Sequence, residues 1–202
     1  MGEAKIAPRS ATKEFKPKDA VLVFSVFSLV CLAAIFGFIV KDLFTIQHFL
    51  SFANPIYMLL LTIFASIGLL FVGALLTYLV PSKYIDNTNQ EMPNYSITVT
   101  CSLMFAGALF EELLFRGIIQ NLIYLFTDSR WIAIIAATLL FVCFHVRYFK
   151  KPVMLLNITL PGLVFGWVYY ETSNLLVPLM VHFATNVMMT LLLKYNVLRV
   201  KQ

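Results

Sequence analysis

Apolar positions along this chain fall in long unbroken runs parted by short polar stretches. The runs cover Val21–Val40, Pro55–Val80, Ser96–Phe126, Trp131–Phe149, Val153–Tyr170 and Leu175–Leu193. A helix needs about twenty such residues to cross a hydrocarbon core of about 30 Å. The pattern therefore predicts an all-α fold, a polytopic membrane bundle of about six transmembrane helices. A β-barrel is excluded because the runs are continuous, without apolar/polar alternation. The first run lacks a small-residue cleavage pattern at its end, so it is expected to remain in place as a spanning helix.

The polar stretches divide the chain. Residues 1–19 form a basic tail with Lys5, Arg9, Lys13, Lys16 and Lys18; residues 20–95 hold two plain spans and a polar loop; residues 96–194 hold the chemically richer bundle; residues 195–202 are a second tail. Lys41–Ser51 contains His48, which has no polar neighbour of catalytic type and is expected to play no role. Lys83–Asn94 is the most polar internal stretch and reads as a solvent loop.

Composition sharpens this picture. The chain is 60% hydrophobic and 12% charged, with a mean hydropathy of +0.86, whereas a soluble chain is nearer 45–50% apolar. The net charge of +5 lies at polar ends, which is a topology signal and not a nucleic-acid patch. With the N-terminus inside, inner segments hold twelve Lys/Arg and outer connections two. Both termini are thus expected in the cytoplasm of a multi-pass cell-membrane protein whose surroundings are the lipid bilayer. Cys31, Cys101 and Cys143 show no paired spacing and read as small buried hydrophobes.

Candidate chemistry sits in the third run. Glu111, Glu112 and Arg116 lie within six residues of one another, and each is worth roughly 2.5–3.5 kcal/mol against insertion at a helix centre. Glu112 and Arg116 are four apart and face one another; Glu111 is rotated about 100° away. Phe141 and His145 share the four-residue spacing, as do His182 and Asn186. Polar groups inside a bundle need partners, which predicts that Glu111, Glu112, His145, His182 and Asn186 meet across three helices. A carboxylate and an imidazole can activate water, while a second imidazole and a carboxamide can hold an oxyanion. No serine or cysteine occupies a nucleophile context. Two histidines and a glutamate (Glu111, His145 and His182) would also suit zinc. No His-Glu-x-x-His pair anchors such a site, so no cofactor is the favoured expectation. Gly162 and Gly166 carry the small-xxx-small spacing of closely packed membrane helices.

Glu-Glu-x-x-x-Arg at Glu111–Arg116, Phe-x-x-x-His at Phe141–His145 and His-x-x-x-Asn at His182–Asn186 occur in that order. In this the chain resembles the CPBP intramembrane proteases, also called the Abi or CAAX-protease and bacteriocin-processing family. The resemblance covers about Ser96–Lys194, with no departure at the motif positions. It implies a membrane-embedded endopeptidase acting on a membrane-associated peptide or protein. Glu111 and His145 would then activate water, Glu112 and Arg116 would support them, and His182 with Asn186 would stabilise the oxyanion. The family has been described both as metal-dependent and as a glutamate-type protease.

Other classes compete: a non-catalytic membrane adaptor, immunity or regulatory protein on the same fold, and an ion or proton carrier using intramembrane carboxylates. Straight helices also raise a conflict. From the turn near Asp128, Glu111 and His145 are each about 17 residues, or about 25 Å, away, whereas His182 lies only about seven residues into its span. Either Ile118–Phe126 is bent or interfacial, or the last span begins deeper in the protein.

Overall fold

The computed structural model describes residues 16–80 and 95–198. The Lys83–Asn94 loop, residues 1–15 of the first tail and residues 199–202 of the second lie outside the described residues. Six apolar helices follow one another: α1 (Pro17–Val40), α2 (Pro55–Leu79), α3 (Ile97–Thr127), α4 (Arg130–Phe144), α5 (Pro152–Thr172) and α6 (Leu176–Lys194). All but α4 are long and apolar enough to cross a bilayer. The chain is a multi-pass, all-α membrane protein.

Local chemistry sets the helix ends. Proline opens α1, α2 and α5, where its missing N–H would be unpaired in any case. Asn54 Oδ1 accepts from the Tyr57 N–H, and Ser96 Oγ from the Val99 N–H. The left-handed residues Asp128 and Ser173 end α3 and α5.

The fourth helix departs from expectation. It stops at Phe144 instead of Phe149, and a single 3₁₀ turn, Val146–Tyr148, follows. The cause is His145. Its ring Nδ1 lies 2.8 Å from the Phe141 carbonyl, the acceptor that its main-chain N–H would take in an α-helix. That N–H turns instead to the Val142 carbonyl, at 2.9 Å, tightening the chain out of the helix.

In the bundle α1 packs on α3, α2 on α6 and α5, and α4 on α5 and the second half of α3; α3 and α6 meet at the centre. Leu22, Leu29 and Phe36 of α1, and Phe64 and Phe71 of α2, face outward, as lipid-facing residues should. The cysteines are free; Cys31 is buried and Cys101 half-buried, but Cys143 is exposed on the outside of α4 and not buried as expected.

The α1–α2 connection folds over the start of α6. Phe44 and Phe49 are buried, and the main chain pairs Leu175 N–H with Phe49 O (2.8 Å) and Ser51 N–H with Ser173 O (3.0 Å). Asn174, fully buried, donates to Ser51 O at 2.7 Å. The last span therefore starts beneath a cover of protein. His48 has a structural task that its sequence context did not reveal: its carbonyl accepts from the Tyr169 hydroxyl at 2.7 Å, while its ring Nδ1 accepts from the Thr45 N–H at 3.1 Å.

Candidate active site

The centre of the bundle is built where α3 changes its winding. Ile97–Glu112 is regular α-helix, Leu113–Gln120 is a π-helix and Asn121–Thr127 is α-helix again. The irregularity thus begins five residues before the expected Ile118–Phe126 bend and places Glu111 and Glu112 at its edge. Short π segments inside α-helices often mark functional sites.

Glu112 and Arg116 are each 1% exposed. Arg116 Nη1 donates to Glu112 Oε1 at 3.1 Å, so the ion pair that the four-residue spacing predicts is present. Its Nη2 donates to Gly162 O at 3.0 Å, and the guanidinium lies 5.1 Å from the Phe141 ring centre and 5.3 Å from that of Phe165. Two aromatic faces, a carboxylate and a carbonyl surround the cation, as a charge far from water requires. The glycines let α5 come close to its neighbours: a Cβ at Gly162 would come within 2.8 Å of Thr138 Cγ2 of α4, and one at Gly166 within 2.9 Å of Gln120 Oε1 of α3.

His182 joins the two glutamates. Its Nδ1 lies 2.8 Å from Glu112 Oε1 and its Nε2 3.7 Å from Glu111 Oε2. Its ring stacks on Phe165 with centres 4.6 Å apart. Unlike its neighbour, the Glu111 side chain is 22% exposed. One carboxylate is thus held by an arginine and an imidazole, while the other is partly exposed.

His145 and Asn186 are not joined to this cluster. The Phe115 ring meets Phe141 and Phe144 edge-on at 5.2 and 5.3 Å. Glu111 is one turn before Phe115 and His145 directly follows Phe144, so the two stand level on adjacent helices. Among the described residues no hydrogen bond or ion pair links them; the His145 ring packs on Phe141 and Tyr148. Asn186 lies one turn beyond His182, half-buried, its carbonyl accepting from the Thr190 hydroxyl at 2.8 Å. The expected five-residue meeting is therefore partial: Glu111, Glu112 and His182 converge, and Arg116 with them.

Among the described residues no three His, Cys, Asp or Glu side chains converge around one point. Glu111, His145 and His182 as placed do not fit a zinc ion, which asks for ligands about 2.0–2.2 Å from one centre.

Three further polar residues emerge that the motifs had not singled out. Gln120 Nε2 donates to Gly166 O at 2.9 Å. Asn121 Nδ2 reaches back to Gly117 O at 2.9 Å and Arg116 O at 3.2 Å, and meets the Tyr169 hydroxyl at 2.6 Å. A polar pair in the middle of the apolar run, Gln120–Asn121, was the available signal.

An all-α membrane bundle with a tandem glutamate, an arginine and a histidine paired in its interior defines a class: an intramembrane protein with an ionisable centre. Within that class, residues 93–188 match the family model described as Rce1-like, type II CAAX prenyl endopeptidase. The chain is also 36% identical over 87 residues to the uncharacterized protein YpbD of Bacillus subtilis (strain 168), covering 43% of this chain and 39% of that protein. It thus spans about two fifths of that relative's length. No solved structure matches the chain.

Proposed function

We propose that the protein is an intramembrane endopeptidase that hydrolyses a peptide bond in a membrane-associated protein or peptide, without a bound metal. The observation that carries this reading is the division of labour between adjacent carboxylates: Glu112 is buried against Arg116 and His182, whereas Glu111 is partly exposed beside the same histidine. The matched family of prenyl endopeptidases supports the reaction class.

In this reading Glu111 and His145 flank a water molecule. The Phe141 carbonyl can only accept, so His145 Nδ1 carries its proton and Nε2 of the neutral ring offers a lone pair. The water oxygen attacks the scissile carbonyl carbon while its proton passes to this pair. The resulting oxyanion takes hydrogen bonds from His182 Nε2 and the Asn186 amide. His182 must then bear a proton on each nitrogen, one donated to Glu112 Oε1 and one to the oxyanion. The C–N bond breaks as the proton held by Glu111 and His145 reaches the leaving amine. Both termini lie in the cytoplasm, consistent with the distribution of lysine and arginine.

The test is cleavage of membrane-anchored peptides by purified protein in lipid nanodiscs. Glu111→Gln should keep the fold and abolish turnover; unchanged turnover removes the base. The buried Glu112–Arg116–His182 cluster would also serve a second reading, a non-catalytic adaptor that uses the polar core for shape. A cellular phenotype that survives both Glu111→Gln and His145→Ala would support that reading instead.

A further inference from the structure

Returning from π to α winding changes main-chain pairing from i→i+5 to i→i+4, which leaves one carbonyl out of the ladder. A carbonyl stranded in a membrane interior must find a donor. In α3 the donor is the Asn121 amide, set 2.9 Å from Gly117 O and 3.2 Å from Arg116 O. That amide is itself fixed by the Tyr169 hydroxyl at 2.6 Å, and Tyr169 donates in turn to His48 O at 2.7 Å. The chain of contacts runs from the π-turn, through α5, to the main chain of the α1–α2 connection. Gly117 completes the seat: a Cβ there would stand 2.9 Å from Ile35 Cδ1 of α1 and 3.4 Å from Leu175 Cδ1. Tyr169 and Leu113 share one buried cluster with Phe44 and Phe49 of the connection.

We propose that Asn121 and Tyr169, anchored on the His48 carbonyl, are positioning residues that hold the π-turn and so fix where Glu111, Glu112 and Arg116 point. Glu112 closes the regular α-helix and Arg116 lies inside the π segment that Asn121 stabilises, so the winding there sets the rotation of one relative to the other. The α1–α2 connection lies outside residues 93–188, so the first two spans set the geometry of a centre whose side chains they do not supply. This rests on the endopeptidase reading for its rate measurement only.

Tyr169→Phe keeps the ring and removes both hydroxyl contacts, so it is the informative variant; Asn121→Leu is the companion. In nanodiscs, amide hydrogen exchange over residues 113–121 should quicken in both, while α2 exchanges as in the wild type. On a cleaved peptide kcat should fall about ten- to a hundred-fold, the scale of a small misplacement, with KM unchanged. Wild-type exchange over 113–121 in Tyr169→Phe overturns the proposal, whatever the rates. A KM rise with unaltered kcat also overturns it. Should the wild type cleave nothing, the endopeptidase reading fails and the exchange measurement alone decides this one.

Discussion

The ion pair at the centre can be broken in a way that separates its parts. In Arg116→Met a side chain of similar length remains, but Glu112 loses its cation and Gly162 O its donor. Both partners are 1% exposed, so no water compensates, and breaking a buried pair from one side costs about 3–5 kcal/mol. Glu112→Gln leaves Arg116 with a carbonyl and two aromatic faces, and should cost a similar amount. The double variant removes both charges together, so its cost should fall short of the sum by about 2 kcal/mol or more, within the range measured for contacting residues. Glu111→Gln is the contrast. Its side chain is 22% exposed and 3.7 Å from His182, which places that interaction at about 0–1 kcal/mol.

The assay is thermal unfolding of the four purified variants in one detergent, followed by intrinsic fluorescence and by the monodisperse fraction on size exclusion. For a chain of this size each kcal/mol moves the midpoint by about 2–4 °C, so Arg116→Met should melt about 4 °C or more below Glu111→Gln. Additive single losses in the double variant, or equal melting of Arg116→Met and Glu111→Gln, would refute the assignment of the buried charge pair to structure and of Glu111 to a freer position.

Other expectations follow from single contacts. Gly166→Val drives a side chain into Gln120 and Ile134, whose atoms would stand 2.9 and 3.1 Å from its Cβ, and should destabilise by about 1–3 kcal/mol. Gly37→Ala, with nothing within 4 Å, should be neutral or stabilise by up to about 1 kcal/mol; equal melting of the two contradicts the close-packing assignment. His145→Ala should lower kcat by about 10²–10⁴-fold with unchanged folded yield, and full turnover would remove it from the reaction. Dialysis against a strong chelator should leave cleavage intact, whereas loss restored by zinc would replace the metal-free reading. After removal of the native cysteines, a cysteine at Asp128 should react with an impermeant maleimide on intact cells and one at Lys150 only after lysis; the reverse pattern inverts the proposed orientation.

Most of the helical layout was legible because lipid demands long apolar runs and little else. Pro55 and Ser96 mark their helix starts within one residue, and the four-residue spacing of Glu112 and Arg116 predicts a contact that depends only on helical geometry. What escaped was set by side chains that compete with the helix itself. Nothing in Val146–Phe149, where Arg147 is the one charged residue, shows that His145 takes its own helix's acceptor and ends α4 early. The π-turn likewise depends on Asn121 meeting Gly117 O locally and Tyr169 from another helix, a pairing no single run encodes. His48 reads as idle in the sequence because its contacts are a local one from the ring to Thr45 and a distant one from its carbonyl to Tyr169.

The meeting of His182 with Glu112 also bears on how the centre can work. Two carboxylates on adjacent residues repel one another strongly where the dielectric is low, and Arg116 is seated against the second, not shared between them. The first must therefore be balanced by His182, by water, or by a proton taken during reaction, and its 22% exposure leaves room for each. His145 stands level with it but is held by Phe141 O in a turn that would unravel if the ring swung across. The proposed mechanism puts a water molecule and a peptide carbonyl between Glu111 and His145, so a direct contact between the two side chains would leave the nucleophile nowhere to sit.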